Sequence, residues 1–110
     1  HVPPRWPRCG RLLDVGCAAG FFLAEAQAHY DVQGVELSTW SSAYARDRLG
    51  LPVFTGTLQQ AAFPAASVDI VTLWDVIEHV PDPVPLLAEA ARVMKPGARL
   101  VLTTGDWGSA

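Results

Sequence analysis

The chain has 110 residues, half of them hydrophobic, enough for one domain with a real core. A formal charge of −3 gives no support for a nucleic-acid partner. No apolar stretch reaches the ~20 residues that cross a bilayer, nothing at the N-terminus resembles a signal peptide, and two cysteines, Cys9 and Cys17, are too few for a disulfide framework. A protein without membrane contacts, in the reducing cytoplasm, is therefore expected.

His1 to Cys9, HVPPRWPRC, is proline-rich and lacks a period, so residues 1–10 read as a lead-in from which Trp6 packs on the domain. Arg5, Arg8 and Arg11 lie among prolines and read as a solvated entry rather than a basic docking arm.

The organising stretch is Arg11 to Phe22, RLLDVGCAAGFF. Leu12, Leu13 and Val15 suit a buried strand, and Gly16, Cys17, Ala18, Ala19 and Gly20 leave the backbone almost bare where that strand ends. A helix follows, so its unpaired N–H groups and positive dipole end would favour a carboxylate or phosphate above the turn. A G-x-G-x-x-G fingerprint for dinucleotides would require glycine at Ala18 and Phe21, which disfavours a nicotinamide-binding domain. An ordinary buried strand-to-helix turn is the plain alternative.

Phe22 to Tyr30 carries Leu23, Ala26 and Tyr30 at helical spacing, and His29 near its end would complement the C-terminal dipole. Asp31 to Leu37 reads as a second strand. It ends in an acid, Glu36, 20 positions after Gly16, the offset at which a carboxylate meets the vicinal hydroxyls of a ribose. Ser38 then caps a helix that runs through Leu49 and closes at Gly50, with Trp40 and Tyr44 expected in the core or as a pocket wall. Leu51 to Thr55 is a short third strand, and Gly56 to Ala66 a loop with one helical turn. Ser67 to Leu73 gives the fourth strand. Asp82 would cap a helix with Pro83 in its first turn that runs to about Met94, where Lys95, Pro96 and Gly97 stop it before a fifth strand, Arg99 to Thr104. Strands alternating with helices predict an α/β fold with a parallel sheet and right-handed crossovers.

The D-x-G-x-x-x-G run from Asp14 through Gly16 to Gly20 resembles the first motif of class I S-adenosylmethionine-dependent methyltransferases. An acid there would repel a pyrophosphate and suits a ligand with an amino group and a sulfonium. VDIVTLWDVIEHVPDP and LLAEAARVMKPGARLVLTT resemble the later motifs of the small-molecule branch that includes ubiquinone-biosynthesis enzymes, so the likeness covers residues 11 to 104. It implies a Rossmann-like doubly wound sheet whose strand order reverses between the first and fourth strands. It implies S-adenosylmethionine as cofactor and methyl transfer to a small-molecule acceptor.

The cofactor-binding positions carried over are Asp14, Gly16, Cys17, Ala18 and Gly20 for the methionine portion, Glu36 and Leu37 for the ribose side, Thr57 and Leu58 near the adenine, and Trp74. The acid or amide usual near Thr57 or Leu58 is absent, so backbone groups, apolar walls, Gln59 or Gln60 would take its place. His79 is the candidate base for a hydroxyl acceptor. No metal is expected; the alternative is a divalent ion on Asp75, Glu78 and His79, which share a helical face, against a structural role for Glu78 and His79. The family continues past the fifth strand into a helix and antiparallel strands. Their absence here implies a fragment with an apolar edge strand open to self-association, and leaves a binding or interaction module without catalysis as the rival reading.

Overall fold

The computed structural model describes residues 6–74 and 80–103. In chain order they form β1 (Arg11–Val15), α1 (Phe21–Ala26), β2 (Asp31–Glu36), α2 (Thr39–Leu49), β3 (Val53–Thr55), α3 (Leu58–Ala61), β4 (Val68–Trp74), α4 (Val84–Val93) and β5 (Met94–Thr103). The five strands make one parallel sheet in the order β3-β2-β1-β4-β5. The chain thus steps outward from β1 to β3, crosses back to β4 and steps outward again. The reversal falls between β1 and β4, where a doubly wound sheet opens a crevice at its C-terminal edge.

Alternation along the strands builds a core on each face. Leu12, Val32, Val53 and Ile70 meet Leu23, Ala26 and Ala45 from the α1 and α2 side. Leu13, Val15, Val35, Val71 and Leu73 meet Leu58 and α4 residues Leu86, Ala90 and Val93 on the other. A parallel sheet needs both faces covered, and the central strand β1 is accordingly buried from Leu12 to Val15. Trp6 packs against the first cluster, as its sequence context suggested.

Two glycines make the β1–α1 turn possible. Gly20, the cap of α1, sits at φ 92, and a Cβ there would stand 2.7 Å from Leu51 Cδ1 and 3.0 Å from Ala45 Cβ. Gly34 on β2 faces the turn; a Cβ would lie 2.7 Å from Leu23 Cδ1 and 2.9 Å from Cys17 Sγ. The bare strand position lets the loop lie flat on the sheet.

Several boundaries differ from the sequence reading. The first helix ends at Ala26 rather than Tyr30, because the buried Tyr30 donates its hydroxyl to Pro7 O at 2.5 Å and turns the chain into β2. His29 therefore lies beyond the helix, its N–H donating to Ala26 O. Ser38 and Gly50 cap α2 as expected, Ser38 Oγ accepting from Ser41 N–H and Gly50 at φ 66. Pro83, not Asp82, occupies the cap of α4, yet the Asp82 carboxylate still accepts from Val84 N–H at 3.1 Å. The third strand begins at Val53 and β2 ends at Glu36, each shorter than expected. The fifth begins at Met94, five residues early. Met94 pairs with Val68 and Arg99 with Ile70, so Lys95 to Ala98 bulge out of a strand they seemed to precede.

Asp69, second residue of β4, gathers the lower rim of the sheet. Its Oδ2 accepts from Arg11 N–H at 2.8 Å, and Lys95 Nζ stands 3.3 Å from its Oδ1. The Arg11 N–H first, and then Lys95, hold its carboxyl below the usual range.

Candidate functional site

The opposite rim carries the acids singled out in the sequence. Asp14 lies on β1 one residue from its end; it is buried among the strands, 1% exposed, with Oδ1 accepting from Thr72 Oγ1 on β4 at 2.8 Å. No cationic side chain among the described residues pairs with it. Burial pushes its carboxyl up to about 7, the Thr72 hydrogen bond opposes that rise, and the Glu36 charge adds to it. A carboxyl in this state suits a ligand that brings a cation with it.

Glu36 ends β2 and acts first as a brace. Its Oε1 accepts from Ala18 N–H and its Oε2 from Ser38 N–H, both at 2.8 Å, so one side chain fixes the loop after β1 and the entry to α2. Each oxygen keeps a second lone pair for a hydroxyl. Within the loop, Gly16 N–H and Cys17 N–H both donate to Val35 O, and Gly20 N–H to Cys17 O. The free donors read from the sequence belong to the start of the helix that follows; in the loop itself these N–H groups are paired. With those of Gly16, Cys17, Ala18 and Gly20 engaged, these positions offer a ligand close approach to the backbone rather than N–H groups. Ala18 takes φ 52, a left-handed conformation that presents its N–H to Glu36. Cys17 is buried, and its thiol is pushed up to about 12 by burial first and then by the charges of Asp14 and Glu36, so it stays neutral.

Two clefts adjoin at Gly16. The first, ≈ 350 Å³, is walled by Val15, Glu36, Leu37, Thr57 and Leu58 on one side and by Pro81, Pro85 and Leu86 on the other. Leu37 is 70% exposed at its lip, whereas Leu58 is buried with its side chain in the core below. Thr57 and Gln60 form a reciprocal capping box on α3: Thr57 Oγ1 accepts from Gln60 N–H at 3.0 Å, and Gln60 Oε1 from Thr57 N–H at 2.9 Å. Gln60 is thereby committed, and Gln59 is the amide that reaches the cleft. The second cleft runs past Asp14, Cys17, Ala18, Ala19, Phe21 and Phe22.

The structure thus places Asp14, Cys17 and Ala18 on one cleft and Glu36, Leu37, Thr57 and Leu58 on the other, with Gly16 lining both. Gly20 lies just behind them as the α1 cap. Trp74 ends β4, and Asp75, Glu78 and His79 lie outside the described residues. Trp40 departs from expectation. It is 73% exposed and stacks on Tyr44 at 5.7 Å, because the buried side of α2 is set by Ser42 and Ala45, and residue 40 projects roughly 140° away from Ala45. The Pro81–Leu86 wall was not singled out in the sequence; the one signal was the apolar start of a helix that follows β4.

A 3-2-1-4-5 parallel sheet with one acid near the end of β1 and a second at the end of β2 defines a Rossmann-like α/β protein. The methyltransferase domain family matches residues 13–102, and the chain belongs to that family. The ubiquinone biosynthesis O-methyltransferase of Thiobacillus denitrificans is 38% identical over 94% of this chain and 48% of its own length. That of Hahella chejuensis is 36% identical over 86% of this chain and 42% of its own. The crystal structure of an S-adenosylmethionine-dependent methyltransferase from Mesorhizobium loti superposes with a TM-score of 0.77 at 26% identity, covering 87% of this chain and 48% of that one. The chain spans about half the length of the curated relatives it matches.

Proposed function

We propose that this chain is the cofactor-holding part of an S-adenosylmethionine-dependent methyltransferase that acts on a small molecule, with a hydroxyl as the acceptor that its O-methyltransferase relatives suggest. The observation that carries the reading is Asp14: a buried carboxyl with no cationic partner among the described residues, lining a cleft that adjoins, at Gly16, the one walled by Glu36. The residues fit the group. Asp14 would take the amino group of the methionine portion, Glu36 the ribose hydroxyls through its remaining lone pairs with Leu37 at the lip beside it, and Thr57, Leu58 and Gln59 would lie along the adenine. Gly16, Cys17, Ala18 and Gly20 would let the loop lie close against the ligand, and Trp74 would stand where β4 meets it.

When bound, S-adenosylmethionine supplies a methyl group on a positively charged sulfur. Methyl transfer removes that charge, so this chain's task is to orient the donor in line with the acceptor and keep water away. His79 is the residue we assign to take the proton of a hydroxyl acceptor. Two free thiols, Cys9 exposed and Cys17 buried, fit a cytoplasmic setting. Leu100 and Leu102, exposed on the edge strand β5, support pairing with a second copy.

Calorimetric titration with S-adenosylhomocysteine tests the reading. Saturable binding that Asp14→Asn weakens at least tenfold is expected; a folded sample that takes up none would overturn it.

A further inference from the structure

We propose that Thr72 is a positioning residue of this site, whose hydroxyl holds Asp14 Oδ1 within the sheet so that Oδ2 is presented to the ammonium group of the bound cofactor. The proposal rests on the assignment of Asp14 to that ammonium group made above.

The geometry begins with the register. Asp14 and Thr72 are direct partners in the parallel pairing of β1 with β4, so both side chains leave the sheet on the same face. Both are shut off from water, at 1% and 0% exposure, and Thr72 Oγ1 stands 2.8 Å from Asp14 Oδ1. An ionised carboxylate only accepts, so the hydroxyl is the donor. Threonine is branched at Cβ and stiff at χ1, which makes that donor's direction a property of the strand rather than of a mobile side chain.

The groups around Asp14 come from three elements. Glu36 on β2 opposes its charge, Cys17 in the loop is a neutral thiol, and Thr72 on β4 favours the charge. Among the described residues Thr72 is therefore the one neighbour that both orients the carboxyl and stabilises the form able to bind a cation. A hydrogen bond to a charged group in so dry a place is stronger than a neutral one at the surface.

Thr72→Val keeps the shape and removes the donor. S-adenosylhomocysteine carries the amino group and adenosine lacks it, so the two ligands separate this role from mere support of the fold. For Thr72→Val, S-adenosylhomocysteine binding at pH 7 should weaken ~10-fold and the midpoint of its pH profile should rise by about one unit. Adenosine binding should change less than ~2-fold, and Thr72→Ser should restore the wild-type profile. An unchanged pH profile, or equal loss of both ligands, would overturn the proposal. Thr72→Ala carries the same test should the valine variant fail to fold. If the wild-type chain binds neither ligand, the failure belongs to the cofactor assignment and not to Thr72.

Discussion

Glu36 and Ala18 meet at 2.8 Å across 18 residues of sequence, a carboxylate oxygen receiving the N–H of a residue in the left-handed conformation. The contact ties the end of β2 to the loop after β1, and the second oxygen ties in Ser38. A residue proposed to bind the ribose is thus also a strut of the fold itself. Glu36→Ala should lower stability by about 1–2 kcal/mol in urea denaturation before any ligand is added. Glu36→Gln, which keeps one acceptor, should lose less and is the better variant for measuring the binding role.

Asp14 should make stability fall with rising pH. Its carboxyl titrates near 3.8 in the unfolded chain and near 7 when buried, so between those values the folded state holds a proton that the unfolded state has lost. The contribution is complete below about pH 4 and is lost by pH 7, at up to about 1.4 kcal/mol per pH unit. Asp14→Asn removes the titration, and its stability relative to wild type should rise across that window. Denaturation at pH 4.5, 6 and 7.5 would show the two curves converging or crossing; parallel curves would mean that Asp14 ionises freely.

Gly34→Ala would drive a methyl group into Leu23 and Cys17, at 2.7 and 2.9 Å. Overpacking of this kind costs about 1–3 kcal/mol. Cys17→Ala opens one side of the clash, so the double variant should recover part of the loss in a thermal melt. Additive losses would show that the loop does not press on β2.

Ala18 sits at φ 52, where a Cβ costs about 1 kcal/mol and glycine is at ease. Ala18→Gly should therefore leave stability level or raise it by up to about 1 kcal/mol, the added freedom of the unfolded chain setting the limit. A loss above that size would show that the methyl group itself packs in the cleft.

What the sequence made legible was whatever depends on neighbours in the chain. The apolar runs around Leu12, Val35 and Ile70 announce central strands, Ser38 and Gly50 bracket α2, and the acids at Asp14 and Glu36 stand where their spacing puts them. What stayed hidden depends on partners far away in sequence. Lys95, Pro96 and Gly97 look like a helix stop, but pairing with Val68 draws Met94 into the sheet ahead of them. The engagement of the loop donors needs Val35 O, and the far wall of the cleft needs α4 folded back over β1. Trp40 misled because a large aromatic four residues from Tyr44 favours burial in general, whereas the rotation of α2 is set by the small residues Ser42 and Ala45.

Asp69 gives the sheet a mechanical direction. By joining Arg11, its own strand and Lys95 at the lower rim, it clamps the starts of β1, β4 and β5 like leaves sewn along a spine. At the upper ends, the side-chain stitch between β1 and β4 among the described residues is the hydrogen bond of Thr72 to Asp14. Compliance should increase from the sewn edge to the open one, so the strain of admitting a ligand is taken up by small splaying of the upper strand ends while the base keeps its spacing.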